Sequence, residues 1–271
     1  MIRKLFFILF ALGIFASSIY GQDSLAYKSK WQAKLLVGTN IPITKLLQGA
    51  ETDYLFQYDD NSYYWQILSL SYFFHKHWGL EFNFQAGTSS RLREKSDNNL
   101  ITKRADNFNT NMQSQYGDNF YVNSGTGAEY DDFNFFSGDI QRGYLGIIYR
   151  FETDKFYVYP KFSIGVISFN TDWGRADLKE KNSNIEYKVY YSSGKVSNDH
   201  FTLAPSVSFG YKILNRIYLN ADVMLSYYKA NIAYEKTTTN LYTSENTVEH
   251  FEYKKGISTL SLGAGLIFII H

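Results

Sequence analysis

The sequence predicts an all-β fold, a closed antiparallel up-and-down barrel of eight strands that crosses a membrane. Three observations predict it. Apolar residues recur at every second position through eight stretches, the period of a strand with two unlike faces. Short and long connections between those stretches alternate strictly along the chain. Aromatics are abundant, with 24 Tyr, 22 Phe and 4 Trp, yet nothing after Tyr20 resembles a spanning helix. Only helices and closed barrels satisfy their backbones in lipid, so a membrane protein with this pattern has to be a barrel.

The chain opens on an export signal, expected to span residues 1–21. Arg3 and Lys4 precede an apolar core from Leu5 to Ala16, and small and polar residues follow up to Gly21. That core is short for a membrane anchor. Cleavage after Gly21 is expected, with Ala16 as the alternative, leaving one domain over 22–271. There is no Cys, which excludes a lipoprotein anchor, disulfides and thiolate metal sites. Net charge is +1, and losing Arg3 and Lys4 leaves the mature chain slightly negative, so nucleic acid is not an expected partner.

The first strand is expected over Trp31 to Ile41, ending at Pro42. Tyr64 to Phe74 carries Leu68, Leu70, Tyr72 and Phe74 on one face and turns at His75-Lys76-His77. The next strand shows Trp78, Leu80, Phe82 and Phe84 against Glu81, Asn83 and Gln85. Leu145, Ile147, Tyr149 and Phe151 alternate with Tyr144, Gly146, Ile148 and Arg150. After the turn Glu152 to Lys155 come Val158, Pro160, Phe162, Ile164 and Val166. Phe201 to Lys212 and Ile217 to Tyr227 form a hairpin about Ile213 to Arg216, and Ile257 to Ile270 closes the set. Pro160 and Pro205 lie inside strands and predict bulges or shifted register.

The four long connections are Pro42 to Tyr63, Ser90 to Gln141, Thr171 to Asp199, and Asn231 to Gly256. An up-and-down barrel collects them at one end. Ala230 to Thr238 and Thr247 to Tyr253 are β-prone and could extend the last hairpin. The apolar positions change from odd to even near Gly256, which predicts a bulge there. Asn119 to Gly138 and Ile185 to Val196 could each form a further hairpin, and recruiting the first gives the alternative of ten strands.

The face opposite the apolar one is rich in Gly and Ser, which suits the narrow interior of an eight-stranded barrel. It also carries Lys34, Glu81, Arg150, Lys161, Lys212 and Asp222, charges of both signs expected to pair across the interior. Aromatics gather at the ends of the apolar face: Tyr72, Phe74, Trp78, Tyr149, Phe151 and Tyr211 near the turns, and Tyr64, Phe201 and Tyr227 near the loops. They are expected to form two interfacial girdles. With the apolar face inward instead, the same pattern would describe a soluble ligand-holding barrel.

This layout resembles the small outer-membrane barrels of the OmpX and OmpA-barrel type, over nearly the whole mature chain. The resemblance implies a bacterial outer-membrane location, short periplasmic turns, long extracellular loops and contact with lipopolysaccharide. Gly265, Phe268 and Ile270 match the spacing of the family's C-terminal signal for the outer-membrane assembly machinery. The chain departs from the family in ending on His271 rather than an aromatic, and no peptidoglycan-binding domain follows.

Signals of chemistry are sparse. His75 and His77 read as polar turn residues. His200 and His250, near Asp199, Glu245, Glu249 and Glu252, lack a ligand spacing, so no metal or cofactor is expected. A lipid A deacylase needs Ser beside His, and His200-Phe201-Thr202 offers Thr on the interior-facing side. Palmitoyl-transfer and omptin-like protease readings have less support still. Asp59-Asp60 and Asp131-Asp132 read as solvated loop charge. No phosphate-binding loop, zincin motif or nucleotide fingerprint occurs. The expectation is a non-enzymatic structural or surface-interaction protein, with a lipid-modifying enzyme or a small-solute porin as alternatives. Loop aromatics (Tyr116, Phe120, Tyr121, Tyr130, Phe133, Phe135, Phe136, Tyr187, Tyr190 and Tyr191) offer contact surface for an extracellular protein or glycan.

Overall fold

Each alternating stretch becomes a strand, and every strand pairing is antiparallel. The computed structural model describes residues 30–44, 61–89, 94–96, 99–101, 103–128, 140–169, 172–193 and 199–270. The export signal, both acidic pairs, Tyr130, Phe133, Phe135, Phe136 and His271 lie outside them. The elements are β1 (Trp31–Pro42), β2 (Ser62–Phe73), β3 (Trp78–Ser89), β4 (Glu94–Ser96), β5 (Asn99–Ile101), α1 (Lys103–Tyr116) and β6 (Phe120–Ala128). They continue as β7 (Ile140–Tyr149), β8 (Phe151–Glu152), β9 (Phe156–Phe169), β10 (Asp172–Glu180), β11 (Glu186–Ser193), β12 (Asp199–Leu214), β13 (Ile217–Asn240) and β14 (Asn246–Ile270). No described helix is long and apolar enough to cross a membrane.

Strands β1, β2, β3, β7, β9, β12, β13 and β14 pair in that order, and β14 returns to β1. Ladder partners thus form an unbroken cycle with no free edge in this part of the fold. Tight turns join β2 to β3, β8 to β9 and β12 to β13. β13 and β14 run on past the cycle as one hairpin, and β11, β10 and β6 add successively to the side of β13. β6 pairs only with β10 among the described residues, so Phe120–Ala128 joins the extension. Helix α1 packs on β6 and was not foreseen.

The prolines do not shift the register they share. Pro160 lies opposite Val207, and Pro205 opposite Phe162, in a β9–β12 ladder that runs evenly from Asp199 to Tyr211. The interruptions fall on the other flank of each strand. β7 and β8 break at Arg150 beside Pro160, and the β12–β13 pairs skip from Leu203 to Ser206 around Pro205. A missing N–H leaves only one side of a strand unpaired, so no bulge is required.

A bulge does occur where none was predicted, between Trp65 and Leu68 of β2. It shifts side-chain parity by one, since faces alternate with period two. Tyr64 is therefore corrected: it is only 3% exposed and points inward, while Tyr63 takes the outward place. The Tyr64 ring lies across Gly38 of β1, where a Cβ would stand 2.6 Å from it, and reaches Gly263 of β14. Gly38→Ala is expected to cost about 1–3 kcal/mol through this overlap, read as a lower urea midpoint.

No bulge forms at Gly256 either. The β13–β14 register is continuous from Ile217↔Phe268 to Thr239↔Asn246. What changes is which face is apolar. In the lower half of β13 the inward residues are Asn220, Asp222, Met224 and Ser226, and the outward ones Leu219, Val223 and Tyr227. Above Tyr228 the inward residues become Ala230, Ile232 and Tyr234, all buried. On β14, Thr259 and Ser261 face inward below Ile257, whereas Phe251 and Tyr253 pack inward above it. Geometry is constant while the surroundings invert, an apolar exterior below and an apolar interior above.

Candidate functional site

The interior of the cycle holds a ring of charge. Lys34 Nζ lies 3.0 Å from Asp222 Oδ2 and 3.2 Å from Glu81 Oε2; Lys161 Nζ lies 3.0 Å from Glu81 Oε1 and 3.3 Å from Asp222 Oδ2. The four residues come from β1, β3, β9 and β13, every second strand of the cycle, so the signs alternate around the interior. All four are buried, and further bonds complete them. Ser71 Oγ donates to Glu81 at 3.2 Å, Asn220 Nδ2 to Asp222 at 2.8 Å, and Lys34 to Ser208 Oγ at 3.3 Å. Buried charges persist only when paired and hydrogen-bonded in this way.

The sequence-predicted set divides here. Lys34, Glu81, Lys161 and Asp222 converge; Arg150 and Lys212 do not join them. Arg150 belongs to a second cluster at the turn end. Its guanidinium stands 4.0 Å over the Phe73 ring and donates to Lys76 O at 3.0 Å, with Glu152 at 3.9 Å. Glu152 accepts from Tyr218 at 2.8 Å and Tyr159 at 3.2 Å. Lys212 is half-buried on β12, four residues nearer the turn than Ser208. Tyr157, stacked on Tyr159 at 4.2 Å, donates to Asn220 and bridges the two clusters.

Side chains fill this interior. The void between Tyr64, Glu81, Tyr144, Lys161, Asp222 and Met224 is about 10 Å³, room for roughly one water. The outward face is the reverse. Leu35, Val37, Leu68, Phe82, Leu145, Ile147, Phe162, Ile164 and Leu219 are exposed around the whole cycle. On β13 this apolar run spans Ile217 to Tyr227, matching the ~9–11 residues of a tilted membrane strand. Phe74, Trp78 and Tyr211 are exposed at the turn end, with Tyr72, Tyr149 and Phe151 partly so; Phe201 and Tyr227 are exposed at the loop end. Phe268 and Ile270 face outward, and Gly265 lies opposite Leu36.

Above the cycle, β6, β10, β11, β13 and β14 form a sheet with α1 on its inner side. Phe108 and Met112 of α1 are fully buried against Leu178, Val189, Tyr191, Ile232 and Tyr234. Phe108 meets Tyr191 edge-on at 5.9 Å. This core reaches Ile140, Ile167 and Ile257, the loop ends of three cycle strands, so the extension caps the opening. Phe108→Ala is expected to remove about 3–5 kcal/mol from the cap and to make α1 a protease target in limited digestion. Of the loop aromatics, Tyr116, Phe120, Tyr187 and Tyr191 serve this core; Tyr121 stays 64% exposed.

The outer face of the extension presents Tyr121, Asn123, Arg175, Asp177, Lys179 and Glu186 around a concavity of about 440 Å³ rimmed by Leu241. Arg175 pairs with Asp177 at 2.8 Å, and Lys179 with Glu186 at 3.6 Å. The hairpin tip beyond is ordered by Asn240 Oδ1, which accepts from Tyr242 N at 2.9 Å and Thr243 N at 3.2 Å. It holds Tyr242 84% exposed.

The histidines do not assemble. His200 points inward and stacks on Tyr228 at 6.0 Å, while His250 lies outward on β14, 3.4 Å from Glu235. Thr202 also faces inward, its hydroxyl donating to Tyr227 O at 3.2 Å. His77 stacks on Tyr149 at 5.5 Å in the β2–β3 turn. Among the described residues no three His, Asp or Glu are grouped as metal ligands.

No family model matches the sequence, and no curated protein matches it. Among solved structures, the chain is similar to a major outer membrane protein from Thermus thermophilus. Identity is 9% and the TM-score 0.38, with 90% of this chain and 100% of that chain covered. It is also similar to the outer membrane protease OmpT from Escherichia coli, at 9% identity and a TM-score of 0.36, covering 92% and 99%. The translocator domain of the autotransporter NalP from Neisseria meningitidis aligns at 8% identity and a TM-score of 0.26, covering 98% and 97%.

Proposed function

We propose that this chain is a non-enzymatic bacterial outer-membrane protein, an eight-stranded closed barrel whose capped extension performs a surface-interaction role outside the cell. The observation that carries this is the inversion of the apolar face along β13 and β14 at constant register. A strand in lipid turns its apolar side out, and the same strand in water turns it in. The tight turns then lie in the periplasm and the extension in the medium, with residues 1–21 as the export signal. Gly265, Phe268 and Ile270 would address the chain to the assembly machinery. A bore occupied by paired charges and a void of about 10 Å³ favours an anchor over a solute channel. His200 and Thr202 turned away from lipid weigh against a lipid-modifying site.

The exposed Tyr121 and Tyr242 give the extension rigid aromatic contacts of the kind that dominate binding surfaces. Whole cells displaying the protein should bind at least one immobilised extracellular protein or arrayed glycan. The Tyr121→Ser, Tyr242→Ser double variant should lose that binding while keeping a folded barrel. No binding by the parent, or equal binding by the variant, contradicts the surface role.

A further inference from the structure

We propose that the interior of the cycle, beneath the cap, binds a chloride ion at Arg142. Arg142 of β7 turns inward and is only 3% exposed. Its ladder partner on β9 is Ile167, and the inward residue before it on β7 is Ile140; both belong to the apolar core of the cap. Its partner on β3 is Gln85, four residues along that strand from Glu81 of the charge ring. The guanidinium therefore sits at the foot of an apolar core, at the loop end of the cycle. Its Nε and Nη1 are buried without a hydrogen-bond partner, and no carboxylate among the described residues pairs with it.

The other interior charges are already balanced. Lys34 and Lys161 face Glu81 and Asp222, and Arg150 faces Glu152 at the turn end. Arg142 remains as one uncompensated positive charge. A guanidinium does not lose its proton inside a protein, and a buried charge persists only when paired, so the counter-charge has to come from solution. Gln85 donates to Gln66 Oε1 at 3.3 Å, which leaves Gln66 Nε2 as a further unused donor in this layer. Rotating both amides keeps their mutual bond and offers Gln85 Nε2 instead. Gln85 and Tyr144, the next inward residue of β7, also line the void of about 10 Å³. A void of that size takes one water-sized particle, so a halide fits there, whereas phosphate, sulfate or an organic carboxylate does not.

The test uses the full chain folded in detergent micelles at constant ionic strength, with chloride exchanged for gluconate, which is too large for the void. Raising chloride from the low millimolar range to a few hundred millimolar should lower the unfolding constant of the parent about tenfold, read as a higher urea midpoint. Arg142→Met removes the unpaired charge and keeps the bulk, so its midpoint should ignore chloride and should not fall below that of the parent in gluconate. Crystals of the parent grown in bromide should show an anomalous peak within hydrogen-bond distance of Arg142 Nε or Nη1. A parent midpoint that ignores chloride, a variant that responds as the parent does, or an interior without bromide overturns the site. Should Arg142→Met fail to fold, the chloride titration and the bromide map of the parent decide the matter alone.

Discussion

Asp222→Ala is expected to lower the stability of the folded chain by about 3–5 kcal/mol, read as the urea midpoint of protein in vesicles. The substitution removes two of the four ion pairs in the ring, and Lys34 and Lys161 then share Glu81 alone. Both ammonium groups are buried, and the void beside Lys161 holds roughly one water. The cost is that of an uncompensated buried charge, and it differs from the modest net worth of a balanced pair. Adding Lys161→Met to Asp222→Ala restores charge balance, with Lys34 and Glu81 still paired, and should recover more than half of the loss. A single variant within about 1 kcal/mol of the parent would mean that the ring is hydrated rather than enclosed.

Val223→Arg and Thr237→Arg place the same side chain on the same strand and the same face, and they should behave oppositely. Val223 is exposed midway along the apolar belt, between Ile217 and Tyr227. An Arg at the bilayer midplane of a barrel costs about 2–4 kcal/mol. Thr237 is opposite Val248 in the extension, above the inversion, where a surface change stays within roughly ±0.5 kcal/mol. Ratios of folded to unfolded protein in vesicles at graded urea would measure both. Two neutral substitutions would remove lipid from the outer face. Two costly ones would bury the extension's outer face against something else.

Much of this molecule was legible in the sequence because a strand's period is two and the apolar outward face follows it through eight strands. Lys34, Glu81, Lys161 and Asp222 lie on the polar face opposite the apolar one, and that parity together with their mixed signs pointed to pairing across the interior. Arg150 and Lys212 shared the parity but sat nearer the turns, a difference of height that alternation does not record. Tyr64 was misplaced because a bulge leaves no mark in a pattern read residue by residue; the two glycines that receive its ring were visible, but not which aromatic they would meet. At Gly256 the opposite error arose. A change in apolar parity can come from an extra residue or from an exchange of the apolar face, and here the register runs on unbroken while the apolar side changes. Helix α1 was missed among Asn, Asp, Thr and Ser residues of modest helix propensity. Its signal was a single stripe, Phe108, Met112 and Tyr116, at four-residue spacing.

The central claim, a lipid-anchored barrel with its extension outside, is tested most directly by fractionating cells and running the outer-membrane protein on gels with and without boiling. A stable barrel resists detergent until heated, so the unboiled band should migrate differently and shift on boiling, with the chain confined to the outer-membrane fraction. Protein recovered from the soluble periplasm, with one mobility before and after boiling, would contradict the membrane assignment and leave the outward Leu, Ile and Phe belt without its lipid.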